Sequence, residues 1–149
     1  MTNFFEKFAK ESNLIEGEKK VTRDQVYAVE KAIDLPMTME NILFLHSLCG
    51  KHIKAEWVGK LRKCQVYIGR YTPPAPEYVH GQMETLVRQL PMMDSWQAHN
   101  LFEKIHPFED LNGRVGRLIW LHKAYQEGYD FSISFLHKFY YQTLSHVEC

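Results

Sequence analysis

The sequence predicts a single all-α domain. Three observations carry that expectation. Apolar residues recur at helical spacing in run after run, capping residues stand directly before several of those runs, and only one short stretch, around residues 64–69, alternates like a strand. A chain of 149 residues is long enough for one domain with its own core.

Residues from about 3 to 16 place Phe4, Phe5, Phe8 and Leu14 or Ile15 on one side of a first helix, which Gly17 is suited to end. Thr22-Arg23-Asp24-Gln25 has the spacing of a capping box. Val26, Val29 and Ile33 then share one helix face, and Pro36 stops that helix. Thr38 caps a third helix, in which Met39, Ile42, Leu43, Leu45 and Leu48 cover more than one face, the pattern of a buried element. His46 within it reads as a packing histidine.

Helical spacing fails from residue 51 to 75. There Cys64, Val66 and Ile68 alternate with Gln65, Tyr67 and Gly69, as in one short strand, before the rigid turn Thr72-Pro73-Pro74-Ala75-Pro76. Pro76 stands at a helix start, where its missing N–H costs nothing, and Val79, Met83, Leu86, Val87 and Leu90 follow at helical spacing. Asp94 or Ser95 caps the next helix, with Ala98, Leu101, Phe102 and Ile105 facing inward. His99 lies two helical turns before His106, about 10 Å along the axis, too far for the pair to share a metal. Leu118-Ile119-Trp120-Leu121 is apolar all round and marks the central buried helix, which ends at Gly128. A last helix is expected over about residues 133–147, packing Leu136, Phe139, Tyr140 and Leu144.

The chemistry is concentrated between the last two of the clearly amphipathic runs, in His106-Pro107-Phe108-Glu109-Asp110-Leu111-Asn112-Gly113-Arg114-Val115-Gly116-Arg117. Pro107 stops one helix, the chain turns at Asn112-Gly113, and another helix begins. The first N–H groups of a helix lack internal partners and carry the positive end of the macrodipole, so they attract phosphate. Arg114 and Arg117, three apart, share a face near that end and are suited to bidentate phosphate contacts. Asp110 offers a carboxylate to Mg²⁺, and His106 offers a base that is neutral near pH 7. Base, metal ligand, backbone donors and guanidinium groups are the parts that phosphoryl or nucleotidyl transfer requires.

This loop resembles the signature of the Fic (Fic/Doc) domain family, H-x-F-x-(D/E)-G-N-G-R-x-x-R, at every fixed position but one: Leu111 stands where the pattern has Gly. The resemblance implies a Fic-type helical bundle filling residues 1–149, with a short β-hairpin flap beside the active site. It makes His106 the general base and Asp110 the Mg²⁺ ligand, with Phe108 anchoring the loop. Asn112, Gly113 and Arg114 would hold nucleotide phosphates, and Arg117 the terminal one. Ser12-Asn13-Leu14-Ile15-Glu16-Gly17 resembles the family's inhibitory motif, (S/T)-x-x-x-E-(G/N), so Ser12, Glu16 and Gly17 belong to an inhibitory helix over about residues 3–17. There Glu16 would pair with Arg117 and compete with a phosphate for one guanidinium. The flap is expected at about residues 63–72, with Val66, Tyr67 and Ile68 nearest an extended segment of the target, bound by β-augmentation.

The implied activity is transfer of AMP from ATP, with Mg²⁺, to a Ser, Thr or Tyr hydroxyl of a target protein. The alternatives are a relative that transfers another group or removes AMP, and a catalytically idle nucleotide-binding module. Leu111 bears on the second, because a backbone there at positive φ strains a leucine, and a close approach to phosphate is obstructed by one. A homo-oligomer is allowed, and the residues do not say whether Glu16 acts within its own chain or across a dimer.

Composition excludes other classes. Formal net charge is zero, which argues against a general nucleic-acid or membrane-surface binder, since those need a basic face, and still allows a local basic pocket. No long apolar run suggests a spanning helix or a signal peptide. The three cysteines, Cys49, Cys64 and Cys149, follow no metal or disulfide spacing and fit a reduced, cytoplasmic protein. The remaining histidines, His52, His80, His122, His137 and His146, show no ligand spacing either.

Overall fold

A computed structural model describes residues 2–129. The helix expected over residues 133–147 lies outside the described residues, as do His137, His146 and Cys149. The elements are α1 (Thr2–Ile15), α2 (Arg23–Asp34), α3 (Met39–Gly50), α4 (Pro76–Gln89), α5 (Ser95–Ile105) and α6 (Asn112–Gln126), with single 3₁₀ turns at Lys51–Ile53 and Leu90–Met92.

Three helices begin where their side-chain caps stand. Thr22 Oγ1 accepts from the Gln25 N–H at 3.1 Å while the Gln25 side-chain oxygen accepts from the Thr22 N–H at 3.0 Å, which closes the capping box of α2. Thr38 caps α3 through the Asn41 N–H, and Asp94 caps α5 through the Gln97 N–H in a second capping box. α4 opens at Pro76. Each cap satisfies a donor that the helix cannot satisfy internally.

α6 is the axis of the bundle. Val115, Leu118, Ile119, Trp120, Leu121 and Ala124 bury every face of it, against α5 most extensively and then α2, α3 and α1. Its middle turn, Leu118-Ile119-Trp120-Leu121, is apolar on every face and must sit in the core. α5 contributes Ala98, Phe102 and Ile105, α3 contributes Ile42 and Leu45, and α4 contributes Val79, Met83 and Leu86. No helix among the described residues is long and apolar enough to cross a membrane.

The short strand expected at residues 64–69 does not form, and the flap is a strap closed by one antiparallel bridge. Ile68 and Tyr71 exchange backbone hydrogen bonds of 3.0 and 2.9 Å around a turn in which Gly69 takes φ +57°. The sequence shows why the ladder stops there. In this register the next hydrogen-bonded pair would be Val66 with Pro73, and proline has no N–H to donate. The surrounding carbonyls are taken by side chains instead: Gln65 Nε2 donates to Val66 and Pro73, and Arg62 to Cys64 and Pro74.

Candidate active site

The site lies in the turn between α5 and α6. α5 closes at His106, which adopts the left-handed region at φ +49°, ψ +63° and donates its N–H to the Phe102 carbonyl at 2.9 Å. That conformation costs a β-carbon-bearing residue about 1 kcal/mol, and the surroundings hold it. Arg62, buried beneath the strap, donates from Nε to the His106 carbonyl at 2.7 Å and from Nη2 to the Ile105 carbonyl at 3.2 Å. Its own backbone N–H reaches the Pro107 carbonyl at 2.8 Å. A cation at the carbonyl end of a helix satisfies orphan acceptors and complements the macrodipole. Because the same guanidinium also holds Cys64 and Pro74, it ties the strap to the backbone of His106. No periodicity or motif marks Arg62 in the sequence.

The loop itself is closed by two side chains. Asn112, buried at the start of α6, accepts from the Phe108 N–H at 2.9 Å and donates to the Phe108 carbonyl at 2.8 Å. Its amide is therefore spent on the loop, and what it offers an anion is its backbone N–H. His46 secures the other side. The Gly59 N–H donates to Nδ1 at 2.9 Å, so Nε2 carries the ring proton and donates to the Asp110 carbonyl at 3.0 Å. The ring stacks on Phe108, 3.7 Å between centroids. Burial lowers the His46 pKa to about 4, so this arrangement stays neutral. His46 is a packing residue, as its place on α3 suggests, and it is also the brace of the loop.

Leu111 does take positive φ, +71°. Its side chain does not obstruct the loop, because it is 3% exposed and runs into the core. Gly50 at the end of α3 makes the room: a β-carbon there would sit 2.8 Å from Leu111 Cδ1 and 3.1 Å from Val58 Cγ2.

Leu111 is the N-cap of α6 and supplies no side-chain acceptor, unlike Thr22, Thr38 and Asp94 in their helices. The Glu16 carboxylate comes to this end. α1 finishes in a Schellman motif, with the Glu18 N–H on the Asn13 carbonyl at 2.9 Å and the Gly17 N–H on the Leu14 carbonyl at 3.0 Å. Gly17 takes φ +80° to close it. The motif aims Glu16 at Arg117, Oε2 to Nη2 at 2.8 Å. Ser12 completes the clasp: its hydroxyl accepts from Arg117 Nε at 2.7 Å and its carbonyl from Nη2 at 3.0 Å. Arg117 is 1% exposed, whereas the Glu16 side chain is 35% exposed and can be displaced into water. Gly113 permits the approach, since a β-carbon there would overlap the Glu16 carboxylate. Arg114, one turn back, faces α1 too, where it lines a cavity of about 20 Å³ with Ser12, Asn13, Gln25 and Cys49.

His106 is held below its ordinary pKa, chiefly by burial and further by the charge of Arg62, against the Glu103 carbonyl, Asp110 and Glu16. Its imidazole is thus neutral and able to accept a proton at pH 7. Asp110 is exposed at the rim, with Oδ1 accepting from the Leu111 N–H at 2.7 Å. An exposed carboxylate beside a phosphate-attracting helix end suits Mg²⁺, which takes one or two carboxylates and fills its octahedron with phosphate oxygens and water. The strap runs past this site. Val66 and Ile68 are half-buried, Tyr67 is 71% exposed, and the Tyr71 hydroxyl donates to the Lys104 carbonyl at 2.9 Å.

The family model described as "Fic/DOC family" matches residues 36–122, from just before α3 through most of α6. The chain belongs to the Fic/DOC family. Among curated Fic relatives, protein adenylyltransferase fic-1 of Caenorhabditis briggsae is 35% identical over 92 residues, which are 56% of this chain and 18% of that protein. Protein adenylyltransferase Fic of Drosophila persimilis is 33% identical over 104 residues, 64% of this chain and 20% of that protein. The chain thus spans about a fifth of these relatives' length. Solved Fic structures share the fold. Fic-1 of Caenorhabditis elegans aligns with TM-score 0.68 and 20% identity, over 97% of this chain and 55% of that one. A Fic family protein from Desulfovibrio desulfuricans aligns with TM-score 0.61 and 24% identity, over 80% of this chain and 43% of that one. The Fic signature expected at residues 106–117 lies inside the matched segment, while Ser12, Glu16 and Gly17 precede it.

Proposed function

We propose that this Fic domain is a protein adenylyltransferase that its own Glu16 holds inactive. The observation that carries the reading is the carboxylate of Glu16 paired with Arg117 against Gly113. An anion already occupies the end of α6 where a nucleotide's terminal phosphate would go, and a partly exposed carboxylate is the group most readily exchanged for one. The carboxylate reaches the Arg117 of its own chain, which supports inhibition in cis.

With Glu16 displaced, Arg117, Arg114 and the first N–H groups of α6 bind the phosphates of ATP. Asp110 would hold a Mg²⁺ ion, which offsets phosphate charge. His106 takes the proton from a Ser, Thr or Tyr hydroxyl of the target. The oxygen forms its bond to the α-phosphorus as the bond to pyrophosphate breaks, leaving an AMP-modified protein. Val66, Tyr67 and Ile68 on the strap offer an edge to an extended target segment. The buried Cys49 and exposed Cys64 are both free thiols, which fits a reduced, cytoplasmic setting.

The test is transfer of label from α-labelled ATP with Mg²⁺, for the wild type, Glu16→Gly, and Glu16→Gly with His106→Ala. Label on Glu16→Gly alone is the expected result. Label from UTP, GTP or CTP in preference to ATP would assign a different nucleotide to the same mechanism. ATP binding without transfer in every variant would instead make this an idle binding module.

A further inference from the structure

Glu103 has no part in the loop signature, yet it is the acidic group set deepest beside His106. It lies on the last turn of α5, three residues before the base, and is buried. Oε2 is 4.0 Å from His106 Nδ1, and Oε1 is buried without a hydrogen-bond partner. The position is shaped for a carboxylate. Gly116, on the facing turn of α6, has no side chain, and a β-carbon there would overlap the Glu103 carboxylate and lie 3.2 Å from Phe102 Cδ1. A buried carboxyl with one oxygen unsatisfied costs stability, and an apolar residue would fill this position more favourably.

We propose that Glu103 is a positioning residue for His106: its carboxyl group faces Nδ1, leaves Nε2 on the open side of the ring to act as the base, and ionises to offset the imidazolium charge formed when Nε2 takes the target's proton. The inference rests on the reading of His106 as the base. The ring then has its working nitrogen toward the substrate and its other nitrogen toward an acid, the order of groups by which a carboxylate orients a catalytic imidazole.

The surrounding charges set when the Glu103 carboxyl ionises. Burial pushes the Glu103 carboxyl up to about 8, the Arg117 guanidinium from α6 opposes that, and Glu16 from α1 adds to it. His106 faces Arg62 from beneath the strap, Asp110 from its own loop, and Glu16. Two groups this close titrate as a pair, so a charged imidazolium favours the carboxylate beside it.

The experiment is done in the full chain carrying Glu16→Gly, so that Glu16 is absent from the charge set. Glu103→Gln keeps the shape and removes the charge. The expected result is a fall in kcat of about tenfold, an unchanged KM for ATP, and an acid limb of the pH–rate profile displaced to lower pH, because the imidazolium has lost its partner. Glu103→Asp should recover part of kcat. A Glu103→Gln protein with kcat and acid limb within about twofold of its parent would overturn the proposal. So would ¹⁵N shifts showing His106 protonated on Nε2 in the unsubstituted protein, a readout that needs no variant to fold. His106→Ala in the same background separates the two readings. If it still transfers AMP, the base assignment fails. If it does not, and Glu103→Gln behaves like its parent, only the role of Glu103 fails.

Discussion

Glu16 Oε2 stands 2.8 Å from Arg117 Nη2, a contact between residues 101 apart in sequence that places a carboxylate over the first turn of α6. It joins the last residues of α1 to the end of the loop that carries His106. Glu16→Gly should raise AMP incorporation by at least tenfold, read as label from α-labelled ATP. It should also cost about 1–2 kcal/mol of stability, the value of a charge-assisted hydrogen bond discounted for the exposure of Glu16. Saturating Mg-ATP should restore the melting temperature in this variant more than in the wild type, since phosphate replaces the lost anion. Equal labelling of the two proteins would remove the case for inhibition.

Leu111 and Gly50 form a second coupled pair. Leu111→Gly relieves a left-handed backbone, worth about 1 kcal/mol, but deletes a buried side chain, worth about 2–5 kcal/mol. The variant should therefore be less stable by about 2 kcal/mol, in urea melts, and should transfer no faster than the Glu16→Gly parent. Gly50→Ala pushes a β-carbon into Leu111 and should cost about 1–3 kcal/mol. A stabilised Leu111→Gly protein would show that the leucine is strained without being packed.

Arg62 holds five carbonyls' worth of geometry in one place, four from its side chain and one from its backbone N–H. Arg62→Ala should destabilise the fold by about 3 kcal/mol, because the released carbonyls of Ile105 and His106 are partly shut off from water. Arg62→Lys should recover little, since a point ammonium cannot reach so many acceptors in one plane. In the Glu16→Gly background both variants should bind Mg-ATP by calorimetry and lose most transfer, as the strap and His106 come apart. Full transfer by Arg62→Lys would leave the clamp a purely structural one.

Acid should weaken the fold through two buried histidines. His46 and His99 are both lowered from 6.5 to about 4 by burial. A depressed folded-state pKa means that the neutral form is favoured in the fold, so the stabilisation is complete above pH 6.5 and disappears as pH falls from there through about 4. The expected loss is about 3 kcal/mol per histidine, read as a falling urea midpoint between pH 6.5 and 4. His46→Gln should flatten part of that slope, and an unchanged slope would assign the acid sensitivity elsewhere.

Glu103 acts in the opposite direction. Its carboxyl is raised to about 8, so the fold prefers the protonated form, and the penalty grows as pH rises from 4.5 toward 8. Glu103→Gln should melt higher than the wild type at pH 8 and about equally at pH 4. A lower melting temperature at pH 8 would mean that the carboxylate is satisfied in solution.

The local elements were legible in the sequence because their causes are local. Thr22, Thr38, Asp94 and Pro76 start helices through atoms within three residues of themselves, and the uninterrupted apolar run of α6 requires burial on any route of the chain. The loop at residues 106–117 was legible for the same reason: base, carboxylate, turn and guanidinium groups are consecutive. The strap was misread as a strand and hairpin, because alternation at Cys64, Val66 and Ile68 says nothing about a partner strand, and the facing segment offers Pro73 where a donor is needed. Only the tertiary structure decided what faces what. Arg62 and Glu103 carry no pattern of their own, and their surroundings are the carbonyls and the imidazole that the fold brings to them. Asn112, Leu111 and Gly50 likewise take their roles from where neighbouring backbone lies. The order of residues determined which groups this loop contains. Packing of α1 and α5 on α6 decided that the Glu16 carboxylate meets Arg117 and that Glu103 lies beside His106.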